Sequence, residues 1–177
     1  MKIARDRSGL LKNFTALIAI TFLFCLCSNI CAAATISVSR DDLGFGNMRG
    51  PSEPVELELA KYGSYHNEIT CTGPSGTTWY LKIWLPHPLS SGGYEIPNSN
   101  FKWRVTQVSG DSSDVGTYNE ASYTEFSNQE VIAYTSGANG NSGNTVTIRF
   151  KYYLFVPDGQ VTGFYDTPVR YKVTDQN

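Results

Sequence analysis

The sequence predicts an all-β chain: a single antiparallel Greek-key β-sandwich, immunoglobulin-like, that follows a cleaved signal peptide. Three observations carry this expectation. Apolar and polar residues alternate with period two through most of the chain after residue 34. Turn-forming Gly, Ser, Asn and Pro clusters separate the alternating runs, and no ten-residue stretch there sustains a helical period. Eight or so short strands without a dividing linker make one sandwich domain, with a closed barrel as the second choice.

The first residues stand apart from this pattern. Lys2, Arg5, Arg7 and Lys12 form a basic head, an apolar run extends from Phe14 to Cys27, and small residues close the segment at Ala32 and Ala34. This is the layout of a secretory signal peptide, cleaved after Ala34. The apolar run falls short of the roughly 20 residues that a spanning helix needs, so no stable membrane span is expected after cleavage. The chain then divides into residues 1–34, the signal peptide, and residues 35–177, the sandwich, secreted to a periplasmic or cell-surface location.

Removing the leader changes the arithmetic. The whole chain has 177 residues, 14 Lys+Arg against 16 Asp+Glu, four Cys and two His. Residues 35–177 keep 143 of them, with ten basic against fifteen acidic side chains and a single cysteine, Cys71. That balance argues against a nucleic-acid partner, which a basic stripe would attract. Three fates are open to Cys71: burial as a small apolar residue, pairing between molecules, or pairing with Cys31 if cleavage falls further upstream. Burial is favoured, because export permits a disulfide without supplying the second cysteine.

The strands follow in order. Ile36 and Val38 alternate with Ser37 and Ser39, and Val55, Leu57 and Leu59 with Glu56 and Glu58. Ile69 and Cys71 share one face of 67–72, which turns the thiol inward. Trp79, Leu81, Ile83 and Leu85 alternate with Tyr80, Lys82 and Trp84, and Phe101, Trp103 and Val105 with Lys102, Arg104 and Thr106. A shorter run holds Val131 and Ala133. The longest alternation is Val146, Ile148, Phe150, Tyr152, Leu154 and Val156, and the last is Tyr165, Thr167, Val169, Tyr171 and Val173. Loops are expected at 73–76, 86–100, 110–116 and 136–144.

Little in the sequence points to catalysis. His66 and His87 both read as solvated loop histidines, neither beside a nucleophile motif, and an inward Cys71 is a poor nucleophile. No phosphate loop, paired-cysteine site or zinc motif appears, so no catalytic residue, metal or cofactor is assigned. Asp111, Asp114 and Glu120 share one loop, but their spacing matches no calcium loop and reads as a solvated acidic turn. The aromatics supply a binding hypothesis instead. Tyr80 and Trp84 lie on the face opposite Leu81 and Ile83, with Tyr94 in the adjoining loop. Together they form a sugar platform, which makes a secreted carbohydrate-binding module the alternative function.

Several motifs resemble a known family. Leu154–Thr174 contains Gly159-Gln160 and then Gly163-Phe164-Tyr165-Asp166 before the final alternating run. Leu43-Gly44-Phe45-Gly46 follows the first strand, and Ile69-Thr70-Cys71-Thr72 precedes Gly73 and Tyr80. In order and spacing these resemble the spore coat U-type and related chaperone–usher pilin subunits. Two departures stand out. The family's first cysteine would fall near Ile36, where this chain has none. Cleavage after Ala34 would also leave no spare N-terminal donor strand, as in a tip or terminating subunit, an accessory surface protein or a self-sufficient sandwich.

The resemblance implies a non-enzymatic assembly protein that works by β-strand addition, with a periplasmic chaperone or other surface subunits as partners. It also implies that the final strand borders the acceptor groove. Tyr165, Val169, Tyr171 and Val173 are the matching positions, with Pro168 suited to an edge.

Overall fold

Alternation becomes burial most clearly in the longest strand. In the computed structural model, which describes residues 34–48, 55–56, 63–110, 116–118, 122–137 and 143–177, every second residue from Val146 to Leu154 is buried and those between face outward. The strands among the described residues are β1 (Thr35–Val38), β2 (Val55–Glu56), β3 (Asn67–Thr72), β4 (Tyr80–Trp84), β5 (Leu89–Ser91), β6 (Tyr94–Ile96), β7 (Phe101–Gly110), β8 (Thr124–Glu125), β9 (Val131–Thr135), β10 (Thr145–Leu154) and β11 (Arg170–Thr174).

They form an antiparallel β-sandwich. The larger sheet runs β1-β3-β10-β7-β8, with β2 pairing the far end of β10, and the smaller sheet runs β11-β4-β9. One core lies between them, built from Ile69, Cys71, Trp103, Val105, Ile148, Phe150 and Tyr152 on one side and Leu81, Ile83, Ala133 and Tyr134 on the other. Rings cross the interlayer space: Phe150 meets Tyr171 edge-on at 5.9 Å. Burying such a core is the main favourable term in folding. Leu57 and Leu59, expected on the second strand, lie outside the described residues, as do Cys31, almost all of the leader, and Asp111, Asp114 and Glu120.

The structure corrects several expectations. Residues 86–100, expected as loop, hold the β5–β6 hairpin, because Gly92 (φ 56°) and Gly93 (φ 90°) both adopt the left-handed conformation that a two-residue primed turn needs. The last strand is shorter than its alternation: only Arg170–Thr174 joins a ladder, while Asp166 makes a single bridge to Ser90. Pro168 lies between the two and has no N–H to donate.

The largest correction concerns His66. It is fully buried, not solvated. β3 leaves β10 after the Asn67–Phe150 pair, and β2 resumes the pairing only at Tyr153. His66 fills the interval: its backbone N–H donates to the Phe150 carbonyl (2.9 Å), and its Nδ1 accepts the Tyr152 N–H (2.8 Å). An accepting Nδ1 puts the ring proton on Nε2, so the imidazole is neutral and serves as a substitute for a strand carbonyl. Asn67 next to it is buried too, its Oδ1 accepting from Ser39 Oγ at 3.0 Å and from the Arg40 N–H at 3.2 Å. These bonds tie the end of β1 to the start of β3.

His66→Ala should therefore lower the unfolding free energy by about 2–4 kcal/mol, since it strands a buried N–H and opens a cavity. His66→Asn, which offers an oxygen near the Nδ1 position, should lose clearly less. Urea denaturation of the two variants checks this, and equal losses would mean that ring volume, not the acceptor, matters at this position.

Candidate functional site

Strand β1 carries the anomaly from which the site is built. Its register sets Ile36 opposite Cys71 and Val38 opposite Ile69. Directly paired residues in an antiparallel ladder point to the same face. Cys71 and Ile69 have no solvent exposure, yet Ile36 is 41% exposed and Val38 38%. The inward face of β1 thus carries apolar side chains that the described residues cover only in part. Among the described strands β1 pairs with β3 alone, so no described strand occupies its outer backbone edge.

The smaller sheet ends in the same way. Among the described strands β11 pairs only with β4, Tyr171 opposite Ile83 and Val173 opposite Leu81. Ile83 and Leu81 are wholly buried, whereas Tyr171 and Val173 are only partly so. β1 and β11 approach one another across the sandwich. Two open strand edges and the four side chains Ile36, Val38, Tyr171 and Val173 therefore line one side of the molecule. The Tyr171 hydroxyl is anchored inward on the Tyr152 hydroxyl, and burial pushes the Tyr171 phenol up to about 12. This buried anchor keeps the Tyr171 ring in a fixed place at the seam.

Of the four residues expected on the final strand, the structure brings Tyr171 and Val173 to this seam. Val169 packs against the core just before β11 begins. Tyr165 belongs to the preceding loop: its hydroxyl donates to the Val161 carbonyl (2.8 Å) and accepts from Gln160 Nε2 (2.7 Å). That clamp stiffens a loop whose Phe164 is 84% exposed and whose Val161 is 43% exposed. Ile36 and Val38 were missed as site residues, because their alternation is the ordinary signal of a covered strand.

The aromatic residues divide between two elements. Tyr80 and Trp84 share the outward face of β4 with Lys82, opposite the buried Leu81 and Ile83. Tyr94, 52% exposed, stands on β6 in the separate two-stranded ladder.

The groups with chemical potential are otherwise engaged. Burial pushes the Cys71 thiol up to about 12, far from a nucleophile's range. His66 is locked in the sheet, and the exposed His87 has its Nδ1 2.9 Å from the Pro88 carbonyl. Among the described residues no group of three or more His, Cys, Asp or Glu side chains gathers in metal-binding fashion.

The Cys71 thiol should resist alkylation at pH 8 in the folded protein and react only in denaturant, as a timed thiol titration would record. Paired positions lie about 4.5–5.5 Å apart at Cα, within disulfide range, so Ile36→Cys should form a bond to Cys71 on mild oxidation. Loss of both thiols, without dimer on a non-reducing gel, is the expected result. Comparison with family models, with curated proteins and with solved structures finds no match to this chain.

Proposed function

We propose that this chain is an exported, non-enzymatic assembly protein that acts by β-strand addition, a partner's strand covering the seam between β1 and β11. One observation carries the reading: Ile36 and Val38 point inward and are nonetheless exposed, beside the half-covered Tyr171 and Val173. An apolar strip flanked by backbone edges that no described strand pairs is unfavourable in water and invites another strand. An incoming extended segment would gain main-chain hydrogen bonds from an edge, and its alternate side chains would cover the strip, fixing register.

The Greek-key, immunoglobulin-like assignment belongs to the same reading. It is supported by the way the chain alternates between sheets, β3 in the larger, β4 in the smaller, β7 in the larger, β9 in the smaller, β10 in the larger and β11 in the smaller. The resemblance to spore coat U-type and chaperone–usher pilin subunits gains from one register detail. Ile36, near which that family has its first cysteine, is the cross-strand neighbour of Cys71. A periplasmic chaperone or another surface subunit would be the partner, and the leader supports a periplasmic or surface location. A buried Cys71 and a sheet-bound His66 support a role without catalysis.

A panel of extended peptides with alternating apolar side chains tests the seam. At a hundred times its Kd, a seam-binding peptide should stabilise the protein by about 2.7 kcal/mol and slow amide exchange in β11. The double variant Ile36→Lys, Val38→Lys should fold with a modest loss, since both side chains already reach solvent, and should bind no peptide. A chain that stays monomeric and gains stability from no strand peptide or chaperone would overturn the assembly reading.

A further inference from the structure

The outward face of the smaller sheet combines aromatic rings with an excess of positive charge. On β4 it presents Tyr80, Lys82 and Trp84; on β11, paired with them, Thr174, Lys172 and Arg170; and on β9, opposite Lys82, the exposed Ile132. Among the described residues Glu130 is the carboxylate that meets these cations, bonding Lys172 Nζ at 2.9 Å and lying 3.7 Å from Lys82 Nζ. Arg170 sits directly opposite Trp84, is exposed, and its guanidinium has no partner among the described residues. The larger sheet differs in that each of its outward cations has a carboxylate partner, Glu56 serving both Arg104 and Lys151. There Lys102, Arg104, Arg149 and Lys151 are each matched by Glu125, Glu56 or Glu68.

We infer that this face binds an acidic polysaccharide, a chain of pyranose rings bearing carboxylate or sulfate groups. Trp84 and Tyr80 stand four residues apart on one strand face, about 13 Å, which spaces two stacking platforms along a short oligosaccharide. Pyranose rings present C–H bonds, slightly positive, to the negative face of an aromatic ring. The planar fork of Arg170 matches a carboxylate or sulfate bidentately, and Lys82 and Lys172 add a field that Glu130 only partly cancels. Charge complementarity selects the ligand: among the described residues Lys82, Lys172 and Arg170 share this face with the single carboxylate of Glu130. Single-stranded nucleic acid also combines rings with acid, but its dense phosphates call for a longer basic track than three cations provide. This site is separate from the β1–β11 seam.

Calorimetry of the whole protein with five probes tests the inference: oligogalacturonate, dextran sulfate, neutral dextran, polyglutamate and a single-stranded oligonucleotide. Binding to oligogalacturonate or dextran sulfate is expected, the stronger of the two identifying carboxylate or sulfate as the acid read, with the other three at least tenfold weaker. Arg170→Ser, at an exposed position, should weaken binding about tenfold, the size of one lost charge-assisted hydrogen bond. Trp84→Ala, checked for folding by circular dichroism, should weaken it at least as much. The site is refuted if no acidic glycan binds, if polyglutamate, the oligonucleotide or neutral dextran binds as well, or if Arg170→Ser has no effect.

Discussion

The two-sided ladder of β10 is the constraint on which the rest of this structure depends. On one side it pairs with β7 along almost its whole length, and on the other with β3, the His66 imidazole and β2 in succession. A ten-residue strand buried on one face can be held in register only if every backbone group finds a partner. His66 is where the ordinary supply fails, and a neutral side-chain acceptor completes it. The bulge between Arg149 and Phe150, with Thr106 as the additional residue of β7, lets one pairing begin at Val146–Gly110 and end at Leu154–Phe101 without turning the apolar set outward.

The open side follows from the unequal width of the two layers. The larger sheet is five strand positions across and the smaller only three. At about 4.8 Å per position, the larger overhangs by roughly 10 Å. Near β7 and β8 other elements fill that overhang: Leu89, Ile96 and Phe126 join the core, and Phe101 packs on Phe126 at 4.6 Å. Near β1 no described element does the same, so Ile36 and Val38 keep water contact. The seam among the described residues is thus a geometric remainder of the architecture, and the proposed strand addition would cover it.

How far this was legible in the sequence varies by element. The inward set of β3, β4, β7 and β10 could be named residue by residue, because a half-buried strand must alternate and its turns need Gly, Asn or Pro. The depth of Cys71 followed from the same period. His66 was misread because a polar residue after a Gly-Ser-Tyr turn looks solvated; its acceptor role depends on Tyr152, remote in sequence. The β5–β6 hairpin had a signal in Gly92-Gly93, but its strands of three residues are too short for periodicity to register.

Local chemistry alone therefore determined that the chain is all-β, which residues turn inward, and that an apparent four-cysteine chain keeps one thiol after residue 34. Period and turn residues act between neighbours in the chain, so sequence contains them. Only the tertiary structure decided which inward residues are actually covered. Cover depends on what lies across the interlayer space, and alternation is the same whether a described strand faces the residue, as over Cys71, or none does, as over Ile36. The exposed and half-covered positions that define the β1–β11 seam, and the unmatched Arg170 beside Trp84, are products of assembly between segments distant in the chain.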